Sequence, residues 1–226
     1  DNLTFGAGGL ILSTAANATA TLTADTDNSG VGAIFDADAS VDIRIARLRT
    51  FAATGINLDT DVTTLVEARL SQPAGTIDIN ELDTVSANGL ALGTVVALEG
   101  TFNLTAPIAL APITDANGNS DNVEANLMTI NGTSGFGTAG NPIETQIRDV
   151  FTTGAISGSF YLDNTGALDI LAGGIGVGGT LVDVSIHGES VTLAGSVVAS
   201  NNVDLTAFGG AISRTGAGPF DITASS

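Results

Sequence analysis

Residues 140–171 read GNPIETQIRDVFTTGAISGSFYLDNTGALDIL, and this stretch decides the fold. Apolar Ile143, Ile147 and Val150 stand among Glu144, Gln146, Arg148 and Asp149. Gly158 then opens the run Ser159-Phe160-Tyr161-Leu162. Asp163-Asn164-Thr165-Gly166 turns the chain, and Ala167-Leu168-Asp169-Ile170 follows. Short runs of β-branched and aromatic residues, punctuated by Gly, Asn and Thr, predict strands and turns. None of them has the apolar spacing of an amphipathic helix.

An earlier copy of the pattern occupies residues 55–92. Leu58 matches Ile143 at an offset of 85 (143 − 58), and Thr60, Val62 and Leu65 match Thr145, Ile147 and Val150 at the same offset. Residues 75–79 match 158–162 at 83 (158 − 75), and Asn88-Gly89-Leu90 matches Thr165-Gly166-Ala167 at 77 (165 − 88). Strand patterns persist while loop lengths change, as they do when one unit is stacked along an axis.

Further strands follow the same style. In Val41-Asp42-Ile43-Arg44-Ile45 the odd positions are apolar and the even ones charged, so one face points inward. The phase slips at Ala46-Arg47-Leu48, which predicts a bend or bulge. Pro107 and Pro112 bracket an apolar run and place it in a loop or at an edge. Towards the C-terminus, runs beginning at Leu181, Val191, Val197, Val203, Ala211 and Phe220 recur about every ten residues, too closely for helical crossovers.

Composition agrees with a slim interior. The 226 residues are 43% hydrophobic but only 4% aromatic, with 29 Gly and no Trp. A thick globular core relies on large aromatics, whereas a narrow one is filled by small and branched aliphatics. Hairpin dipeptides such as Asn131-Gly132 are scarce, which favours parallel strands turning corners over antiparallel hairpins. The expected object is an all-β, right-handed parallel β-helix, a single continuous solenoid domain over 1–226. An offset of 85 is about four coils of roughly 21 residues. That gives roughly 9–11 coils and a length on the order of 45–55 Å. The rival architecture is an antiparallel β-sandwich subunit of a fibre or surface layer that exchanges a strand with its neighbour.

The net charge of −18, with six arginines and no lysine, disfavours nucleic acid and anionic membranes as partners. No apolar run reaches the length of a membrane-spanning helix. Without cysteine there is no disulfide and no thiolate metal site, which is compatible with a bacterial exported protein. The start at Asp1 lacks a basic, then apolar, leader, so a mature form or an excerpt of a longer shaft is expected.

Several residues invite a chemical reading. Asp25, Asp27, Ser29, Gly30 and Asp36 fall at positions 1, 3, 5, 6 and 12 of a calcium loop, so Asp25, Asp27, Ser29 and Asp36 are candidate calcium ligands. Gly32 replaces the usual aliphatic residue, and no helices flank the loop. Asp115, Asn117, Asn119 and Asp121 alternate oxygen ligands in a second loop. Asp36 with Asp38, and Glu81 with Asp83, are i, i+2 carboxylate pairs that a strand would place together on the outer wall, as in a β-helix polysaccharide lyase or hydrolase. With no Trp and only Tyr161 among tyrosines, a sugar-stacking platform is hard to build. His187 is the only histidine and sits in no catalytic motif, so it is expected at a corner or in solvent. Gly154-Ala155-Ile156-Ser157-Gly158 is one position off a nucleophile elbow. The glycines of 173–179 lack a dinucleotide-binding context.

The string Gly135-Phe136-Gly137-Thr138-Ala139-Gly140-Asn141-Pro142-Ile143-Glu144-Thr145, followed by residues 158–168, resembles large bacterial exoproteins of the filamentous-haemagglutinin type. Val191-Thr192-Leu193-Ala194 and Val203-Asp204-Leu205-Thr206-Ala207 are similar to the C-terminal strings of such proteins. The resemblance covers residues 130–226 and is looser before them. It implies a right-handed β-helix shaft, secreted through an outer-membrane partner to the bacterial cell surface. Such a shaft works as an adhesin or surface filament, without catalytic residues. Exposed strands at the first and last coils would favour head-to-tail self-association.

Overall fold

In the computed structural model, residues 1–82, 89–106, 111–215 and 222–224 are described. Among them there is no helix, and every pairing between named strands is parallel. The chain is a β-solenoid of about 8 turns. This parallel pairing overturns the sandwich alternative.

One inward column runs through the molecule. Ile34, Ile56, Ile77, Phe102, Met128, Val150, Ile170 and Leu193 are successive register partners. All eight are buried. Leu3 continues the column at one end and Arg214 at the other. Removing such a side chain from water stabilises the fold by about 1.5–3 kcal/mol. A column can be this uniform because parallel in-register strands set like residues directly over one another. A second inward column contains Leu90, Ile113, Phe136, Phe160 and Val184. Within it the Phe136 and Phe160 rings stack at 4.9 Å.

Coil length differs from expectation. Steps along the first column are 22, 21, 25, 26, 22, 20 and 23 residues, from the differences between successive positions. Most exceed 21, so the chain makes fewer turns than nine to eleven. Extra residues sit in loops such as 115–122 and 137–142, which leave the strands in register.

The expected phase slip is present. Strand Ile43–Ala52 alternates inward and outward until Ala46 and Arg47 both face outward, then resumes at buried Leu48. Its register against strand Gly55–Leu70 shifts between Leu48 and Arg49. Pro112 lies outside any strand, and residues 107–110 fall outside the described part. The C-terminal strands Val191–Leu193, Val197–Ala199 and Asn202–Ala207 lie where the spacing predicts.

Glycine is required where coils touch. A Cβ on Gly158 would lie 1.9 Å from the Ser134 carbonyl oxygen, and one on Gly100 would lie 2.1 Å from that of Gly75. No side chain fits between backbones that approach so closely.

The internal repeat needs a correction. Val150 stacks in the column of Ile56, whereas Leu65 is level with Leu48 and Leu92. The 85-residue offset therefore joins strands on different faces of the solenoid. What it does match is a corner, described next.

Candidate functional site

Thr60 and Thr145, the pair matched in the sequence, each sit at a bend where the chain leaves one face for the next. The Thr60 hydroxyl donates to Glu81 Oε2 at 2.8 Å, and the Val62 amide donates to Glu81 Oε1 at 3.1 Å. The Thr145 hydroxyl donates to Asn164 Oδ1 at 2.9 Å, and the Ile147 amide donates to the same oxygen at 2.9 Å. Glu81 and Asn164 are both buried and come from the following coil. At a bend the ladder loses a partner for one amide, and an inward-turned side chain supplies it.

Two further buried side chains do related work. Asn122 accepts from the Glu144 amide at 3.0 Å and donates to the carbonyl of Leu92 at 2.7 Å. Asp42 accepts from the Asp59 amide at 3.1 Å. Burial, reinforced by the nearby carboxylates Asp36, Asp59 and Asp38, pushes the Asp42 carboxyl up to about 6.

Glu81 thus faces inward, not onto the outer wall as its pairing with Asp83 would require. Asp83 lies outside the described residues. Asp36 and Asp38 do lie close together, but Asp36 accepts from the Asp38 amide at 2.8 Å. Asp38 in turn holds the Ser40 amide at 2.7 Å and the Gly8 amide at 3.2 Å. The Ser40 hydroxyl, which also donates to Asp38, and then these amides keep its carboxyl below the usual range. The pair locks a turn.

The proposed calcium ligands divide in two. Asp25 Oδ1 accepts from the Ser29 hydroxyl at 2.6 Å and its amide at 2.7 Å, and Asp25 Oδ2 accepts from the Gly30 amide at 3.1 Å. Asp27 accepts from the same Ser29 amide at 3.3 Å. The Ser29 hydroxyl, above all, holds the Asp25 carboxyl below its ordinary range. Asp36, at the end of strand Ala33–Asp36, belongs to the separate turn with Asp38. Among the described residues no three acidic, histidine or cysteine side chains are arranged to hold a metal ion.

The second polar loop is similarly self-contained. The Asp115 carboxylate accepts from the Asn117 amide and from the side-chain amides of Asn122 and Asn141, at 2.8, 2.8 and 2.9 Å. Beside it lie Asp121, Glu144 and Asp163. Burial, then the neighbouring carboxylates, raises the carboxyls of Asp121 and Glu144. Asn119 is exposed and adds nothing to this cluster.

His187 is 41% exposed on the outer wall, 3.3 Å from the Ser185 hydroxyl and 4.0 Å from Asp204. Ser157 of the elbow-like string instead donates its backbone amide to Thr133. Buried Ile175, in the glycine string, bridges to Val197.

Sequence reasoning missed the corner side chains Glu81, Asn122, Asn164 and Asp42. For Glu81 and Asn164 the signal was present, since each stands two positions after an inward aliphatic residue where alternation calls for another; Asp42 gave none, because the 41–45 alternation puts it outward whereas it is buried. It also missed an outward aromatic, Phe35, beside a groove on the wall.

No protein family, curated protein or solved structure matches this chain.

Proposed function

We propose that the chain is a non-enzymatic segment of a bacterial cell-surface shaft, an adhesin or filament secreted through an outer-membrane partner. The observation that carries this reading is the uninterrupted buried apolar column from Ile34 to Leu193. An interior of that kind is filled by side chains along its length and builds a rod. The acidic residues agree. Those nearest to catalytic spacing, Glu81 and Asp36 with Asp38, are committed to holding corners and turns. The sequence resemblance to filamentous-haemagglutinin-type exoproteins supplies the surface location and the secretion route.

We propose that the end coils take further strands, from more of the same shaft or from a second copy. Strands Leu3–Phe5 and Thr19–Thr23 at one end, and Asn202–Ala207 and Ile212–Arg214 at the other, each have a ladder partner on one side only among the described residues. Exposed Leu10, Leu12 and Ile212 lie at these ends. Such edges accept another strand.

Protease digestion of intact cells producing the protein tests the location. Loss of the protein with the cytoplasm untouched is expected. Full protection in intact cells and cleavage only after lysis contradicts the proposal.

A further inference from the structure

Most large side chains of this protein point inward, which makes Phe35 conspicuous: it is 44% exposed on the outer wall. A groove of about 250 Å³ runs against it, lined also by Asn57, Thr76, Asp78 and the backbone of Gly55 and Gly75. That is below the roughly 300–1,000 Å³ of clefts for drug-sized ligands and suits one ring-sized group.

The groove is continuous with a polar ladder. Asn57, Asp78, Asn103 and Thr129 are successive register partners on the outer wall. Ile34 is level with Ile56, which places Phe35 beside Asn57 at the head of this row. Rungs are about 4.8 Å apart. Asn57 is exposed, and its side-chain amide has no hydrogen-bond partner among the described residues. Thr76 is half-buried. Among the described residues Asp78 accepts only from Asn103, at 2.5 Å, and keeps further lone pairs for a ligand.

We propose that this groove binds a neutral sugar residue, with its glycan chain continuing along the Asp78–Asn103–Thr129 row. The proposal rests on the adhesive reading and gives it a ligand class. The sequence count of Trp and Tyr argues against a sugar platform, but the exposed ring of Phe35 offers an apolar one to the C–H face of a sugar. The amide of Asn57, the hydroxyl of Thr76 and the carboxylate of Asp78 offer both donors and acceptors to ring hydroxyls. The net charge of −18, and Asp78 in the groove itself, disfavour uronates, sialylated and sulfated glycans.

The test titrates neutral tetrasaccharides of glucose, galactose, mannose and N-acetylglucosamine into the purified protein by calorimetry, with an oligouronate alongside. Saturable binding of at least one neutral glycan is expected, weakened at least tenfold in Phe35→Ala and in Asn57→Ala. Both residues are exposed, so either variant is expected to fold. Phe208→Ala, at an exposed aromatic far along the chain, leaves binding unchanged. No binding by any neutral glycan, equal binding of the oligouronate, or no effect of either substitution overturns the proposal. Its failure is distinguishable from failure of the adhesive reading: a protein that is protease-accessible on cells but binds no glycan loses only this site.

Discussion

The corners at Thr60 and at Thr145 solve one problem with different chemistry. In both, a threonine hydroxyl and the amide two residues later converge on a buried side chain of the next coil. At the first it is the carboxylate of Glu81, and at the second the carboxamide of Asn164. Asn164 adds two bonds that Glu81 has no protons to make in its ionised form, donating to the carbonyls of Ile147 at 3.2 Å and Gly166 at 2.9 Å. The difference teaches that the bend requires an acceptor for two donors. Whether a charge accompanies the acceptor depends on the carbonyls nearby.

Six substitutions would break or sharpen that comparison. The largest effect is expected between the corners, in the column both must support: Phe102→Ala should destabilise by about 3–5 kcal/mol, read from the denaturant midpoint. A loss below about 1 kcal/mol would mean that the column does not hold the coils together.

Next comes exchange of the acceptors. Asn164→Asp puts a carboxylate against the carbonyls of Ile147 and Gly166 and should cost about 3 kcal/mol at neutral pH. That carboxyl would have a raised pKa in the fold. The penalty is therefore absent below the unfolded value and complete above the folded one, so the variant should recover as pH falls. Glu81→Gln keeps an acceptor and should cost about 1 kcal/mol. Equal effects of the two exchanges would erase the distinction between the corners.

The pH dependence of the unaltered protein reports on Asp42. Its carboxyl is raised to about 6, chiefly by burial. Ionisation is thus harder in the fold than in the unfolded chain, and this group destabilises progressively as pH rises from about 4 to 6. Stability should increase as pH falls from 7 to 5, and Asp42→Asn should flatten the rise, an effect of about 1–3 kcal/mol. Unchanged slopes would remove Asp42 from the account.

The smallest effect belongs to the donors. Thr60→Val and Thr145→Val each remove one hydroxyl from a buried acceptor that keeps its backbone donor, and should cost about 1 kcal/mol apiece. Similar losses at both sites would show that the corners are equivalent in this respect.

The fold was legible because strand pattern, glycine spacing and aromatic poverty all point to a slim stacked interior. The register was not. Most inward positions hold interchangeable aliphatic residues, so Leu65 and Val150 look alike although they occupy different faces. Loop insertions such as 137–142 then shift the count from coil to coil. The corner pair Thr60 and Thr145 was found, but only as a repeat, because the partners Glu81 and Asn164 differ in type and lie a coil away. The calcium spacing falls in a loop where Asp25 and Ser29 close their own turn, a local bond that the spacing does not reveal. Phe35 was hidden because alternation alone does not say which aromatic of a strand end faces out.

The winding itself can be measured with spin labels, since the chain has no cysteine of its own. Thr76, Thr101, Thr192 and Ser213 lie in one register column, with Leu127, Asp149 and Asp169 between Thr101 and Thr192. At about 4.8 Å per rung, backbone separations of about 19 Å for Thr101–Thr192, 24 Å for Thr101–Ser213 and 29 Å for Thr76–Ser213 are predicted. Distances from pulsed electron resonance that grow in equal steps with the number of coils are the expected result. Distances that do not increase in that order would contradict the solenoid.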